Sequence, residues 1–191
     1  MHPCGLIVAL LVAPSTSQAD IADGAALMRA SLTSEYGNAV KGTEAQAVAA
    51  AAVALSAGTT GLTVEVLPSR SLANAFACPD GTVLITRGLV EECGSDDELA
   101  FVVAHEAAHV LLGHAARAAQ AALAELACWA LVGDCGAEWH RSTAGEEREA
   151  DTLSADLLER AGYDPLAGVR LLTRLATVGR GHAVCARPPE W

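Results

Sequence analysis

The run His105-Glu106-Ala107-Ala108-His109 constrains this chain more than any other feature. Four residues turn an α-helix by about 400°, so His105 and His109 stand about 40° apart on one face, one turn from each other. Two imidazoles placed that way can grip one zinc ion. Glu106 falls beside that face, so its carboxylate can reach a water at the metal without ligating the metal itself. The flanks suit a buried helix, since Phe101, Val102, Val103, Val110 and Leu111 are apolar. Ser95-Asp96-Asp97-Glu98 is an N-terminal signature, with acidic residues on the positive end of the helix dipole and a capping-box spacing from Ser95 to Glu98. The spacing predicts a helix through Leu112 that stops near Gly113.

A tetrahedral catalytic zinc takes a third protein ligand. His114 is nine residues after His105, about 180° round a continuous helix, which faces it away and makes it a helix-end or supporting residue. The pattern HExxHxxGxxH needs Gly at 112 and His at 115, where this chain has Leu112 and Ala115. The other source is the acidic stretch from Gly145 to Asp151. There Glu147 and Asp151 lie one turn apart and can face one site, while Glu146 and Glu149 read as solvated surface. Spacing alone does not choose the ligand.

Around this centre the layout is helices, then a small sheet, then helices. Ile21–Tyr36 and Glu44–Ser56 are Ala-rich helical stretches, ended by Gly37 and Gly58. Leu62–Leu67 alternates apolar and polar, as a half-buried strand does. Ala73–Ala77 and Thr82–Thr86 are two more strand-like runs, and Pro79-Asp80-Gly81 between them signals a hairpin. Further helix is expected over Arg117–Leu131, Glu138–Ala161 and Pro165–Thr177, with Gly162 as a stop. The expected fold class is α+β, mostly helical, with a hairpin-containing sheet beside the HExxH helix.

With 52% hydrophobic and 18% charged residues, the chain has enough apolar material for a core and is not a disordered segment. Its net charge of −11 argues against nucleic acid as a partner and against an anionic membrane surface. Gly5–Ala13 is an uninterrupted apolar run, too short to span a bilayer. Ser17 and Ala19 then sit like a small-x-small cleavage site before Asp20. Residues 1–19 therefore read as a secretory signal peptide and 20–191 as one domain, although Met1-His2-Pro3 carries no Lys or Arg. That places the protein in the periplasm or outside the cell, where cysteines pair. Cutting before Asp20 leaves Cys78, Cys93, Cys128, Cys135 and Cys185, an odd number. Cys128 and Cys135, flanking Gly133-Asp134, are the most plausible local disulfide. No later run is uncharged for long enough to cross a membrane.

From about Leu72 to Pro165 the chain resembles the gluzincin zinc metallopeptidases of the HtpX, CAAX prenyl endopeptidase and BepA-like group (peptidase family M forty-eight). The matching stretches begin with Asn74-Ala75-Phe76-Ala77, Asp80-Gly81, Ile85-Thr86-Arg87-Gly88-Leu89 and Asp97-Glu98-Leu99-Ala100. They continue with His105 to His114, Glu147-Arg148-Glu149-Ala150-Asp151 and Arg160-Ala161-Gly162-Tyr163-Asp164-Pro165. The resemblance implies Glu147 as third ligand beside His105 and His109, Asp151 as its companion outside the metal's own contacts, Glu106 as general base, and one Zn2+ per chain. It implies a compact zincin-like (minigluzincin) domain, with an edge strand near Asn74 able to hold extended substrate. It further implies endoproteolysis of polypeptides, with misfolded or unassembled envelope proteins as substrates. A zinc-stabilised chaperone or binding module with minor proteolysis is the alternative. Many relatives end the domain with His-Pro followed by Arg near the active site. His182 and Arg187 are the matching types here, with a possible gating or transition-state role, but Ala183 follows His182 and the spacing differs.

Overall fold

The computed structural model describes residues 18–42, 48, 51, 62–121 and 142–177. In chain order the elements are α1 (Gln18–Tyr36), β1 (Thr63–Leu67), β2 (Ala75–Ala77), β3 (Thr82–Thr86), α2 (Arg87–Glu92) and α3 (Asp96–Leu111). They continue with α4 (His114–Ala121), α5 (Ala144–Ala161) and α6 (Ala167–Thr177). The chain is mostly helical with one three-stranded sheet, an α+β architecture.

The sheet has the order β1-β3-β2. β3 is central and buried at every position. It pairs parallel with β1, Thr63 opposite Thr82 and Leu67 opposite Thr86, and antiparallel with β2, Phe76 opposite Leu84. Successive strand side chains point to opposite faces, so the sheet has two apolar sides. Val66, Val83 and Ile85 join the main core with Leu99, Val102, Val103, Leu158 and Leu171 from the helices. Leu67 and Leu84 face the other way, onto Met28, Leu32 and Tyr36 of α1. The rings of Tyr36 and Phe76 stack there with centroids 5.9 Å apart, and Arg29 reaches Glu65 of β1 at 2.8 Å.

The β2–β3 connection is the hairpin that Asp80-Gly81 signals. The N–H of Cys78 donates to the carbonyl of Thr82 at 2.7 Å, Asp80 Oδ1 accepts from the N–H of Thr82 at 3.0 Å, and Gly81 turns through a φ of 88°. β2 begins at Ala75 rather than Ala73. The strand stops short because the N–H of Asn74 donates to the Thr86 side-chain oxygen at 2.9 Å instead of to a main-chain carbonyl of β3. The sequence reading assigned no helix to α2, a single short turn capped by Thr86, whose side chain accepts from the N–H of Leu89.

α3 is the central helix, packed between the sheet, α5 and α6. Ser95 caps it by accepting from the N–H of Glu98 at 3.3 Å. The capping box expected there is only half formed. The Glu98 carboxylate turns to the N–H of Gly94 at 2.7 Å and to the guanidinium of Arg174 on α6, which also donates to the carbonyl of Glu92 at 2.7 Å. α3 ends at Leu111, with Leu112 as its cap, and Gly113 takes a left-handed φ of 73°. That backbone lets α4 leave at a bend of 65°.

Four helix starts differ from expectation, the first being α1, which begins at Gln18 and not Ile21. α4 begins at His114, not Arg117. α5 begins at Ala144, where the reciprocal capping box is found: Thr143 accepts from the N–H of Glu146 while Glu146 accepts from the N–H of Thr143. α6 begins at Ala167, after Asp164 Oδ1 has accepted from the N–H of Leu166 at 2.9 Å. Gly162 closes α5 in the left-handed region, as expected. Residues 1–17, most of the Glu44–Ser56 stretch, Cys128, Cys135, Cys185, His182 and Arg187 lie outside the described residues. Within them Cys78 and Cys93 are free thiols. No single helix among the described residues is long and apolar enough to cross a membrane.

Candidate metal centre

α3 carries His105, Glu106 and His109 in its buried second half, and α5 lies against it with Glu147 and Asp151. Three donor atoms converge. His105 Nε2 and His109 Nε2 are 3.1 Å apart. Glu147 Oε2 lies 3.4 Å from His105 Nε2, and Glu147 Oε1 lies 3.7 Å from His109 Nε2. Zinc bonds of about 2.0–2.1 Å at tetrahedral angles set neighbouring ligand atoms about 3.3 Å apart. Two imidazole nitrogens and one carboxylate at these separations are a donor set that fits one zinc-sized cation.

The protonation states suit ligation. Both histidines are buried, at 1% and 6% exposure. Burial, reinforced by the neighbouring His105, pushes the His109 pKa down to about 4. The imidazole is then neutral around pH 7, with a lone pair available to a metal. His105 Nδ1 faces away from the convergence point, 3.1 Å from Asp151 Oδ1. A carboxylate beside the far nitrogen of a histidine favours the tautomer whose Nε2 is bare. Phe101 backs the same imidazole, ring centroids 5.8 Å apart.

Glu106 is buried beside these candidate ligands without joining them. Burial pushes its pKa up to about 7, helped by the charge of Glu147, while His105 and a hydrogen bond from the backbone of Ala77 act in the opposite direction. A carboxyl group with a pKa near neutrality can both take and return a proton at pH 7. Ala77 belongs to β2, so the sheet edge and the HExxH helix meet at Glu106. Sequence reasoning gave no sign of that contact, because a main-chain donor leaves no residue-type signal.

His114 is where a continuous-helix projection fails. α3 has ended before it, and the turn at Gly113 brings His114 back, 4% exposed, with Nδ1 3.0 Å from Nδ1 of His109. It touches a candidate ligand but is not among the three converging groups. Its Nε2 lies 3.2 Å from Glu149 Oε2. Glu149 and Glu146 therefore do more than the solvated surface expected of them. Glu146 closes the α5 cap and accepts from Arg117 of α4 at 3.0 Å.

Comparison with known proteins gives a consistent picture. The chain is 33% identical over 140 residues to the beta-barrel assembly-enhancing protease of Yersinia pestis, covering 61% of this chain and 28% of that protein. It is 30% identical over 131 residues to the mitochondrial metalloendopeptidase OMA1 of Arabidopsis thaliana, covering 62% and 27%. It is 30% identical over 126 residues to the metalloprotease LoiP of Escherichia coli K12, covering 57% and 50%. The chain thus spans between about a quarter and a half of the length of these relatives. The profile described as Peptidase family M48 matches residues 41–146, just over half of the chain, taking in His105, Glu106, His109 and His114 and stopping one residue before Glu147. With just over half of the chain matched, the chain belongs to peptidase family M48.

Proposed function

We propose that this protein is a zinc-dependent endopeptidase with a zincin-like domain, in which His105, His109 and Glu147 hold one Zn2+ and Glu106 is the general base. The observation that carries the reading is the convergence of the two Nε2 atoms and the Glu147 carboxylate, 3.1–3.7 Å from one another, with a buried carboxyl of near-neutral pKa beside them. When bound, a zinc ion supplies Lewis-acid chemistry, polarising the scissile carbonyl and making water acidic enough to attack near pH 7. The rest is the work of the chain. Glu106 takes the proton from the attacking water and returns it to the leaving amine. Asp151 holds His105 in its ligating tautomer, and the packing of Phe101 behind it limits rotation of that ring. β2, with Ala77 bonded to Glu106, is the edge along which an extended polypeptide would lie.

The same reading puts the protein in the periplasm or outside the cell, acting on misfolded or unassembled envelope proteins. Its support is the apolar Gly5–Ala13 run followed by small residues, and the similarity to a protease named for β-barrel assembly. The decisive experiment is casein hydrolysis by wild type and Glu106→Gln, both checked for zinc and fold. The variant should keep both and lose about three orders of magnitude of activity or more. Equal cleavage by the two proteins would remove the enzymatic reading and leave a zinc-stabilised binding module.

A further inference from the structure

The two candidate ligand histidines are anchored differently. Nδ1 of His105 meets a carboxylate directly, that of Asp151, at 3.1 Å. Nδ1 of His109 meets a second imidazole, at 3.0 Å from His114 Nδ1, and only beyond it a carboxylate, with His114 Nε2 3.2 Å from Glu149 Oε2. His109 and His114 stand edge to face, centroids 5.0 Å apart and planes at 67°. Both are buried. Asp151 and Glu149 both come from α5.

Two nitrogens facing each other need one proton between them. If the proton sits on His114 Nδ1, neutral His109 carries its own on Nε2, pointing into the cluster where a metal would be repelled. In that case His114 Nε2 is bare and faces the lone pairs of Glu149. If the proton sits on His109 Nδ1, His114 accepts it on a bare Nδ1 and carries its own proton on Nε2, where the Glu149 carboxylate accepts. The first arrangement sets two acceptors against each other at Glu149, whereas the second gives that carboxylate a donor and leaves His109 Nε2 bare toward His105 and Glu147. The acceptor-only character of an ionised carboxylate sets the direction of the whole chain.

From this geometry we infer that His114 is a positioning residue, an imidazole relay that, with Glu149 behind it, locks His109 in the tautomer and orientation a metal requires. The inference rests on the metallopeptidase reading above, since it concerns a ligand of that metal. The Gly113 turn makes it sterically possible by bringing the first residue of α4 back onto α3.

Zinc affinity, measured by competition with a fluorescent chelator, tests this without reference to activity. His114→Ala should bind zinc about 10–100-fold more weakly than wild type, the usual loss when a ligand's outer partner is removed. His114→Gln should lose as much, because its amide reaches the Nε2 position and leaves His109 without an acceptor. His114→Asn should stay within about 3-fold of wild type, since its carbonyl oxygen can stand where Nδ1 stood. In zinc-loaded wild type, long-range 1H–15N correlation spectra should show His114 protonated on Nε2 and bare on Nδ1. This holds whether or not the alanine variant folds. A His114 protonated on Nδ1 overturns the relay, as does wild-type affinity in folded His114→Ala, or an asparagine variant as weak as the glutamine one. A wild type that binds no zinc overturns the metallopeptidase reading itself, and the relay with it.

Discussion

Gly168 of α6 lies so close to Phe101 of α3 that a methyl group on it would come within 2.4 Å of the ring. Both residues are buried, and the same ring stands beside His105, centroids 5.8 Å apart. Gly168→Ala should therefore overpack the α3–α6 contact. A cost of about 1–3 kcal/mol is expected, visible as a lower midpoint in urea or heat. An alanine variant as stable as wild type would mean that Phe101 has room to move, contrary to the packing.

The carboxylates of α5 should separate by role in metal binding. Glu147→Ala removes one of three converging donors and should cost several kcal/mol of zinc affinity. Asp151→Ala removes the partner of His105 Nδ1 and should cost less, about 10–100-fold. Zinc retained after dialysis against a chelator ranks them. Equal retention by both variants would refute the assignment of Glu147 as a ligand.

The tie between α3 and α6 should be sensitive to acid. The Arg174 guanidinium, then the N–H of Gly94, hold Glu98 below its ordinary pKa of 4.5 against the opposing effect of burial. A depressed folded-state value means that the bridge contributes fully above about pH 4.5. Its contribution is lost as pH falls from there through the lower folded value. Arg174→Ala should destabilise by about 1–3 kcal/mol at pH 7, less than a fully buried pair because Arg174 is partly solvated. At pH 3 the gap to wild type should narrow. A gap that stays constant would show that packing, not charge, joins the helices.

Cys78 and Cys93 should resist alkylation. Burial pushes both thiols up to about 12, so almost no thiolate exists at pH 8, and Cys78 has no exposed surface. Iodoacetamide on the native protein, followed by peptide mapping, should leave Cys78 unmodified and Cys93 nearly so. Both should react in urea. Rapid native labelling of Cys78 would mean that the sheet face under α1 opens.

What was readable in the sequence was local. Ser95, the 105–109 spacing, Asp80-Gly81 and Gly162 each set the backbone within a few residues, and each lies where its local signal put it. The start of α5 was equally local. The Thr143-to-Glu146 spacing marks it, although the expected helix began earlier, at Glu138. His114 was different in kind. Its Gly113 stop was legible, yet the direction in which α4 departs depends on α3 and α5 packing together. Angles counted on a continuous helix do not survive a left-handed residue. Glu149 shows the matching weakness of helical wheels. They give the azimuth of Cβ and not the reach of a long side chain, which is 65% exposed and still meets a buried imidazole.

β2 is a three-residue strand at the rim of the sheet, and antiparallel pairing with β3 points the main-chain N–H of Phe76 at β3 and those of Ala75 and Ala77 away from it. Both outward N–H groups are already engaged, that of Ala75 by Asn74 Oδ1 and that of Ala77 by Glu106. This rim offers carbonyl oxygens and withholds donors. Two copies meeting here would bring acceptors against acceptors, so the rim is a poor template for pairing with itself, while its carbonyl oxygens remain open to the N–H groups of an extended polypeptide. The buried Glu106 carboxylate thus occupies a backbone donor that an unguarded edge would leave open.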